Sequence, residues 1–149
     1  ELLAETLALE KARQVFQQHP DAIVIGGDQL VSFENCILGK PGTEERALEQ
    51  LISMQGKTHV LITAIAVMAP DFVETHINRT RLKMRPLDKD ALKRYVQFDQ
   101  PLNCAGAYKL ESRGITLFEE IQSTDHSAIT GIPLIALTSL LVKAGMTLP

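Results

Sequence analysis

Tryptophan is absent, Tyr and Phe together make up only 5% of the chain, and there are two cysteines. So few cysteines cannot build a disulfide framework, and Cys36 and Cys104 lack CxxC spacing, so both read as reduced structural thiols. His19, His59, His76 and His126 lack the i, i+4 pairing of a zinc-binding helix, which argues against a metal centre built on imidazoles. No apolar run approaches the roughly eighteen residues that cross a bilayer, and no basic, apolar and small-residue leader opens the chain. The default expectation is a cytoplasmic protein with no membrane partner. A net charge of −3 supplies no basic field for a nucleic-acid polymer, so an anionic ligand needs a local cluster of cations. Also missing are a GxxxxGK phosphate loop, a GxGxxG turn and a GxSxG elbow. The sequence begins at Glu1 rather than methionine, already inside a helical pattern, and the expectation is that a segment precedes it.

What is present is ordinary for a folded domain: 45% hydrophobic and 22% charged residues over 149 positions, read as a single domain of residues 1–149. A chain of this size buries roughly two thirds of the surface its unfolded form exposes. The organising stretch is Ala22 to Pro41, AIVIGGDQLVSFENCILGKP. Four apolar residues, Ala22 to Ile25, predict a strand buried on both faces. Gly26 and Gly27 then permit a bend or a close approach to a ligand, and they set Asp28 at the carboxyl end of that strand, where open α/β sheets bind ligands. Turn chemistry also favours Gly and Asp, so Asp28 as a turn residue and Lys40 as a solvated loop lysine stand beside the functional reading.

The rest of the chain supplies the scaffold. Residues 1–19 predict an amphipathic helix with Leu2, Leu3, Leu7, Val15 and Phe16 on one stripe and Ala8 and Ala12 beside it. LVSF against CILG predicts a hairpin turning at Glu34-Asn35. Thr43 caps a helix that buries Ala47, Leu48, Leu51 and Ile52 and ends at Gly56. Thr58 to Ala69 reads as a central strand, with Phe72 to Met84 as its antiparallel partner, one face wet. Asp88 caps a helix to about Phe98 with Leu92, Tyr95 and Val96 inside. Pro101 to Ser112 is a loop long enough to suggest function. Gly114 to Ile121 reads as a strand and Ser123 to Thr130 as a polar loop. Pro133 opens a last helix that Gly145 ends. The order α-β-β-α-β-β-α-β-α predicts an α/β or α+β domain, a mixed twisted sheet flanked by helices.

Carboxylates and lysines on loops are the remaining chemical groups: Asp28, Glu111, Glu119, Glu120 and Asp125 with Lys11, Lys40, Lys57 and Lys109. They suffice in kind for phosphate-ester hydrolysis, since an acid can deprotonate water or hold a divalent cation and lysines can neutralise phosphate oxygens. Spacing alone gives this set little weight, and Glu119, Glu120 and Asp125 read as a solvated strand edge and loop. More specific is a resemblance carried by three ordered motifs. IGGDQLVSFENCILGKPGTEERALEQL, NCAGAYKLESRGITLFEEI and the closing ITGIPLIAL, together with LALEKA at 7–12, resemble the Maf family of nucleoside triphosphate pyrophosphatases over essentially the whole chain. Asp28-Gln29 and the pattern from Cys104 to Glu111 resemble the branch that hydrolyses 7-methyl-GTP. The branch acting on dTTP and UTP typically has Gln where Glu111 stands.

The resemblance implies a Maf-like fold with a nucleotide cleft and hydrolysis between the α and β phosphates, giving a monophosphate and pyrophosphate with Mg²⁺ or Mn²⁺. It makes Asp28 the proton acceptor and a metal ligand, Lys40 and Lys11 phosphate-binding, and Gln29 and Glu111 the residues that set base specificity. Guanine presents N1–H and the 2-amino group, which one carboxylate can accept, and methylation at N7 adds a positive charge that suits Glu111. The resemblance allows a homodimer, and its alternatives are a dTTP or UTP pyrophosphatase and a non-catalytic nucleotide-binding module tied to cell division. Family members begin with a strand and a loop with a Ser-x-Ser-Pro-x-Arg-Arg-like motif that wraps the triphosphate, followed by an acidic segment that can help bind metal. Neither the motif nor the acidic segment occurs in this sequence, and the resemblance implies that they precede Glu1.

Overall fold

Small side chains, not large ones, decide how the first helix docks. α1 (Leu2–Phe16) buries Ala4, Ala8 and Ala12, whereas Leu2, Leu3 and Val15 of the expected apolar stripe are exposed. The reason lies in the strand that follows, β1 (Val24–Phe33). A Cβ placed on its Gly26 would stand 2.2 Å from the Ala8 carbonyl oxygen and 2.7 Å from the Ala12 nitrogen. Backbones this close admit only glycine on the strand and alanine on the helix, so the leucine side of α1 cannot be the docking face. No bend occurs at Gly26-Gly27: β1 continues through both glycines for ten residues, so Asp28 lies in the middle of the strand and not at its carboxyl end as the sequence suggests. Its start is not buried on both faces either: Val24 is inside, while Ile23 and Ile25 are 37% and 43% exposed.

The computed structural model describes residues 1–149. After β1 come β2 (Cys36–Leu38), α2 (Glu44–Met54), β3 (Thr58–Ala69), β4 (Phe72–Met84), α3 (Lys89–Asp99), β5 (Phe118–Gln122) and α4 (Leu134–Lys143), the order that the sequence predicts. The fold is α+β, with one five-stranded sheet of order β2-β1-β3-β4-β5. No helix is long and apolar enough to cross a membrane. By internal contacts the chain divides into two compact units, and the division falls within β1, β3 and β4. The first comprises residues 1–29, 62–79 and 124–149, the second residues 30–61 and 80–123.

In the first unit α4 packs Leu137 and Leu140 on Ile65 and Val67 of β3, with Phe72 and Leu141 at the border of this cluster. Each fully buried Leu or Ile contributes on the order of 2 kcal/mol. β4 turns one face to water from Asn78 to Met84, where buried and exposed residues alternate, but the apolar alternation of its first half does not set that face. Asn78 is buried, and Val73 is 53% exposed. Residues 126–130, expected as a polar loop, form a 3₁₀ turn whose Ala128 and Ile129 are buried.

The second unit confirms most local signals. Glu34 and Asn35 both take positive φ, as a two-residue hairpin requires, and Val31, Ser32 and Phe33 pair antiparallel with Leu38, Ile37 and Cys36. Thr43 accepts from the Arg46 N–H at 3.3 Å and Asp88 from the Ala91 N–H at 2.7 Å, so both caps are as expected. α2 buries Ala47, Leu51 and Met54 but leaves Ile52 exposed. β5 pairs antiparallel with β4 and starts later than the sequence suggests, because Arg113–Leu117 winds into a 3₁₀ turn first.

Candidate active site

Of the residues singled out, Lys11, Asp28 and Gln29 belong to the first unit, and Lys40 and Glu111 to the second. The close α1–β1 contact places Lys11, adjacent to Ala12, over the middle of β1. Its Nζ donates to Asp28 Oδ1 at 2.6 Å and to the Gly27 carbonyl at 3.1 Å. Lys11 remains half-exposed while the Asp28 side chain is 13% exposed, so the acid is the sheltered partner. Asp28 Oδ2 is buried and has no hydrogen-bond partner. A buried carboxylate oxygen left unpaired costs stability, so this one is available for a water, a cation or a substrate group.

Gln29 follows on the opposite face of β1. Its Nε2 donates to Thr63 Oγ1 at 3.0 Å and to the carbonyls of Ala128 and Ile129 at 2.9 and 3.2 Å. Thr63 Oγ1 donates in turn to the Ala128 carbonyl at 2.9 Å. The Gln29 amide therefore anchors the 126–130 turn, and its carbonyl oxygen takes no part in these bonds.

In the second unit Lys40 is exposed and free of ion pairs, on a loop fixed at both ends. Gln50 of α2 donates to the Gly39 carbonyl at 3.1 Å, Pro41 is buried, and the Gly42 N–H donates to the Leu102 carbonyl at 2.9 Å. Glu111 rides on a tight turn in which the Lys109 carbonyl accepts from the N–H groups of Ser112 at 3.2 Å and Gly114 at 2.9 Å. Only glycine fits at 114, where a Cβ would lie 2.2 Å from that carbonyl oxygen. α3 holds the turn from below: Asp99 accepts from Ser112 Oγ and the Arg113 N–H, Tyr95 Oη from the Lys109 N–H, and the Arg113 guanidinium lies 4.1 Å from the Phe98 ring centroid. Glu111 itself stays exposed.

Cys104 reports the charges around this loop. Burial pushes its thiol up, Lys109 lowers it, Glu111 raises it and Lys40 lowers it. An up-shifted thiol is a poor nucleophile, which fits a structural Cys104, while Cys36 is exposed on β2. Two lysines of the wider set are occupied elsewhere. Lys57 pairs with Glu34 at 2.9 Å, and Lys109 Nζ donates to the Asp99 carbonyl at 2.8 Å. Glu119, exposed as expected, pairs with Lys83.

Asp125 departs from its reading as a solvated loop acid. It is 6% exposed and accepts from the Ser127 N–H at 3.0 Å, Ser127 Oγ and the Ile135 N–H at 2.8 Å, while Ser127 Oγ accepts from the Leu134 N–H. Burial raises its carboxyl, but the three donors outweigh that and hold it below the usual range. Its spacing before Pro133 was the available signal, a capping acid for the first turn of α4. No group of three or more His, Cys, Asp or Glu side chains gathers to hold a metal ion.

The family model described as Maf-like protein matches residues 1–144. The chain belongs to the Maf family. Among its relatives is a protein named 7-methyl-GTP pyrophosphatase in Bdellovibrio bacteriovorus, 51% identical across 97% of this chain and 75% of its own length. Proteins of the same name in Xanthomonas campestris pv. campestris and Aromatoleum aromaticum are both 44% identical. They match across 99% and 98% of this chain and 77% and 76% of their own lengths.

Proposed function

We propose that this Maf chain hydrolyses a nucleoside triphosphate between the α and β phosphates, with 7-methyl-GTP as substrate. The observation that carries the reading is the Asp28 carboxylate, one oxygen held by Lys11 and the other buried and unpartnered. Lys11 fixes the orientation of the acid. Oδ2 then accepts the proton of a water as the water oxygen bonds to phosphorus and pyrophosphate leaves. Lys40, exposed and without an internal partner, neutralises phosphate oxygens. The relatives' shared name supports the substrate, and so does Glu111, an exposed carboxylate matched to the two donors of a guanine edge.

The unpartnered Oδ2 also fits a divalent cation such as Mg²⁺ or Mn²⁺, which proteins commonly bind through one or two carboxylates plus substrate phosphates. Such an ion, when bound, neutralises charge on the phosphates. Asp28→Asn keeps the size of the side chain and removes its basicity. Pyrophosphate release from 7-methyl-GTP should fall by about a hundredfold or more. Release at the unchanged rate would refute the role of Asp28.

A further inference from the structure

On the reading that 7-methyl-GTP is the substrate, we propose that Phe98 is the surface on which its base stacks, and that Arg113 fills that place until the nucleotide arrives. The hydrogen bonds of Glu111 do not read the methyl group. Guanine and 7-methylguanine present the same N1–H and 2-amino donors, on the edge away from N7. What methylation adds is a positive charge spread over a flat ring, and the face of an aromatic side chain attracts such a ring. Of the five Phe and two Tyr residues, Phe98 alone is exposed, at 68%. Phe33, Tyr95, Tyr108 and Phe118 are all buried.

The ring already holds a flat cation. The Arg113 guanidinium lies 4.1 Å from the Phe98 ring centroid. Arg113 is itself exposed, and cation–π contacts in water are weak, so its side chain can move aside at little cost. The same end of α3 fixes the turn that bears Glu111. Asp99, next to Phe98, accepts from Ser112 Oγ at 3.1 Å and from the Arg113 N–H at 2.9 Å, and its carbonyl accepts from Lys109 Nζ at 2.8 Å. Tyr95 Oη accepts from the Lys109 N–H at 2.9 Å. Phe98 and Glu111 therefore belong to one pinned piece of the second unit, with Glu111 two residues from the side chain that covers the ring. A base that takes the place of the guanidinium lies against the turn that carries Glu111. Neutral guanine gains the stacking without the charge attraction, so the ring favours the methylated base.

The test is a proton NMR titration with 7-methyl-GMP and with GMP, the monophosphates that the proposed reaction leaves. Stacking puts the N7-methyl group in the shielding region of the phenyl ring, so its resonance should move upfield on binding, and Phe98→Leu should abolish that shift. The preference for 7-methyl-GMP over GMP should fall about fivefold in Phe98→Leu and hold in Phe98→Tyr. Arg113→Gln keeps the N–H donated to Asp99 and clears the ring. It should tighten 7-methyl-GMP binding about twofold, since a competing side chain lowers affinity by the fraction of time the ring is covered. A preference unchanged in Phe98→Leu overturns the proposal, as does 7-methyl-GMP that binds without the upfield shift or fails to bind. Pyrophosphate release from 7-methyl-GTP is measured beside it. No release together with a Phe98-dependent shift refutes the hydrolysis and supports the stacking.

Discussion

The proposed reaction gives Asp28 and Glu111 two different tasks, and their surroundings differ. Asp28 is sheltered and paired with Lys11, whereas Glu111 is exposed on a turn held by Asp99 and Gly114. Glu111→Gln keeps the shape and removes the charge. The ratio of 7-methyl-GTP to dTTP turnover, from pyrophosphate release on each, should fall at least about tenfold, the effect of one charge-assisted hydrogen bond. An unchanged ratio would remove Glu111 from base recognition. A third residue acts on stability. His59 is 1% exposed, its Nε2 lies 3.0 Å from Tyr108 Oη, and burial lowers its pKa from 6.5 to about 4. The unfolded chain therefore binds a proton at His59 between pH 6.5 and 4 that the folded chain refuses. Stability is full above the unfolded value and is lost as pH falls through that window, by up to about 3 kcal/mol. Urea unfolding at pH 7 and pH 4.5 should show the loss, and His59→Gln should flatten it.

At the scale of elements, the order of helices and strands, the Thr43 and Asp88 caps and the Glu34-Asn35 hairpin were legible because each rests on residues a few positions apart. The docking face of α1 was not legible. Hydrophobicity favours Leu2, Leu3 and Val15, but the distance between helix and strand is set by Gly26, which the sequence separates from Ala8 and Ala12. Gly26→Ala should cost about 3 kcal/mol, since the new methyl meets backbone atoms that cannot rotate away. The variant tests the site as well: a displaced α1 carries Lys11 away from Asp28, so kcat should fall even at temperatures where circular dichroism shows a folded chain. An active, fully stable Gly26→Ala would contradict the packing. The Gly-Gly-Asp run pointed to Asp28 but misplaced it at the end of a strand that continues to Phe33. Gln29's anchoring of Ala128 and Ile129 was not legible, because its partners lie in a turn about a hundred residues away.

For the molecule as a whole, a net charge of −3 means that a triphosphate is attracted by particular lysines rather than by a general field. Any cation held by one protein carboxylate depends on the substrate for its other ligands, so it is not part of the fold. Chelation with EDTA should abolish pyrophosphate release while leaving the thermal unfolding temperature of the substrate-free protein unchanged, and added Mg²⁺ should restore turnover. A drop in that temperature would point to a structural metal instead. If Gln29 faces the ligand as proposed, it has one more consequence. Its amide hydrogens are already shared among Thr63 and the 126–130 turn, so it would meet a ligand only as an acceptor. A group that brings its own lone pair to that spot would find nothing to bind and a like partial charge facing it. Selectivity there would come from bonds already used up, and loosening the turn would make the residue indiscriminate.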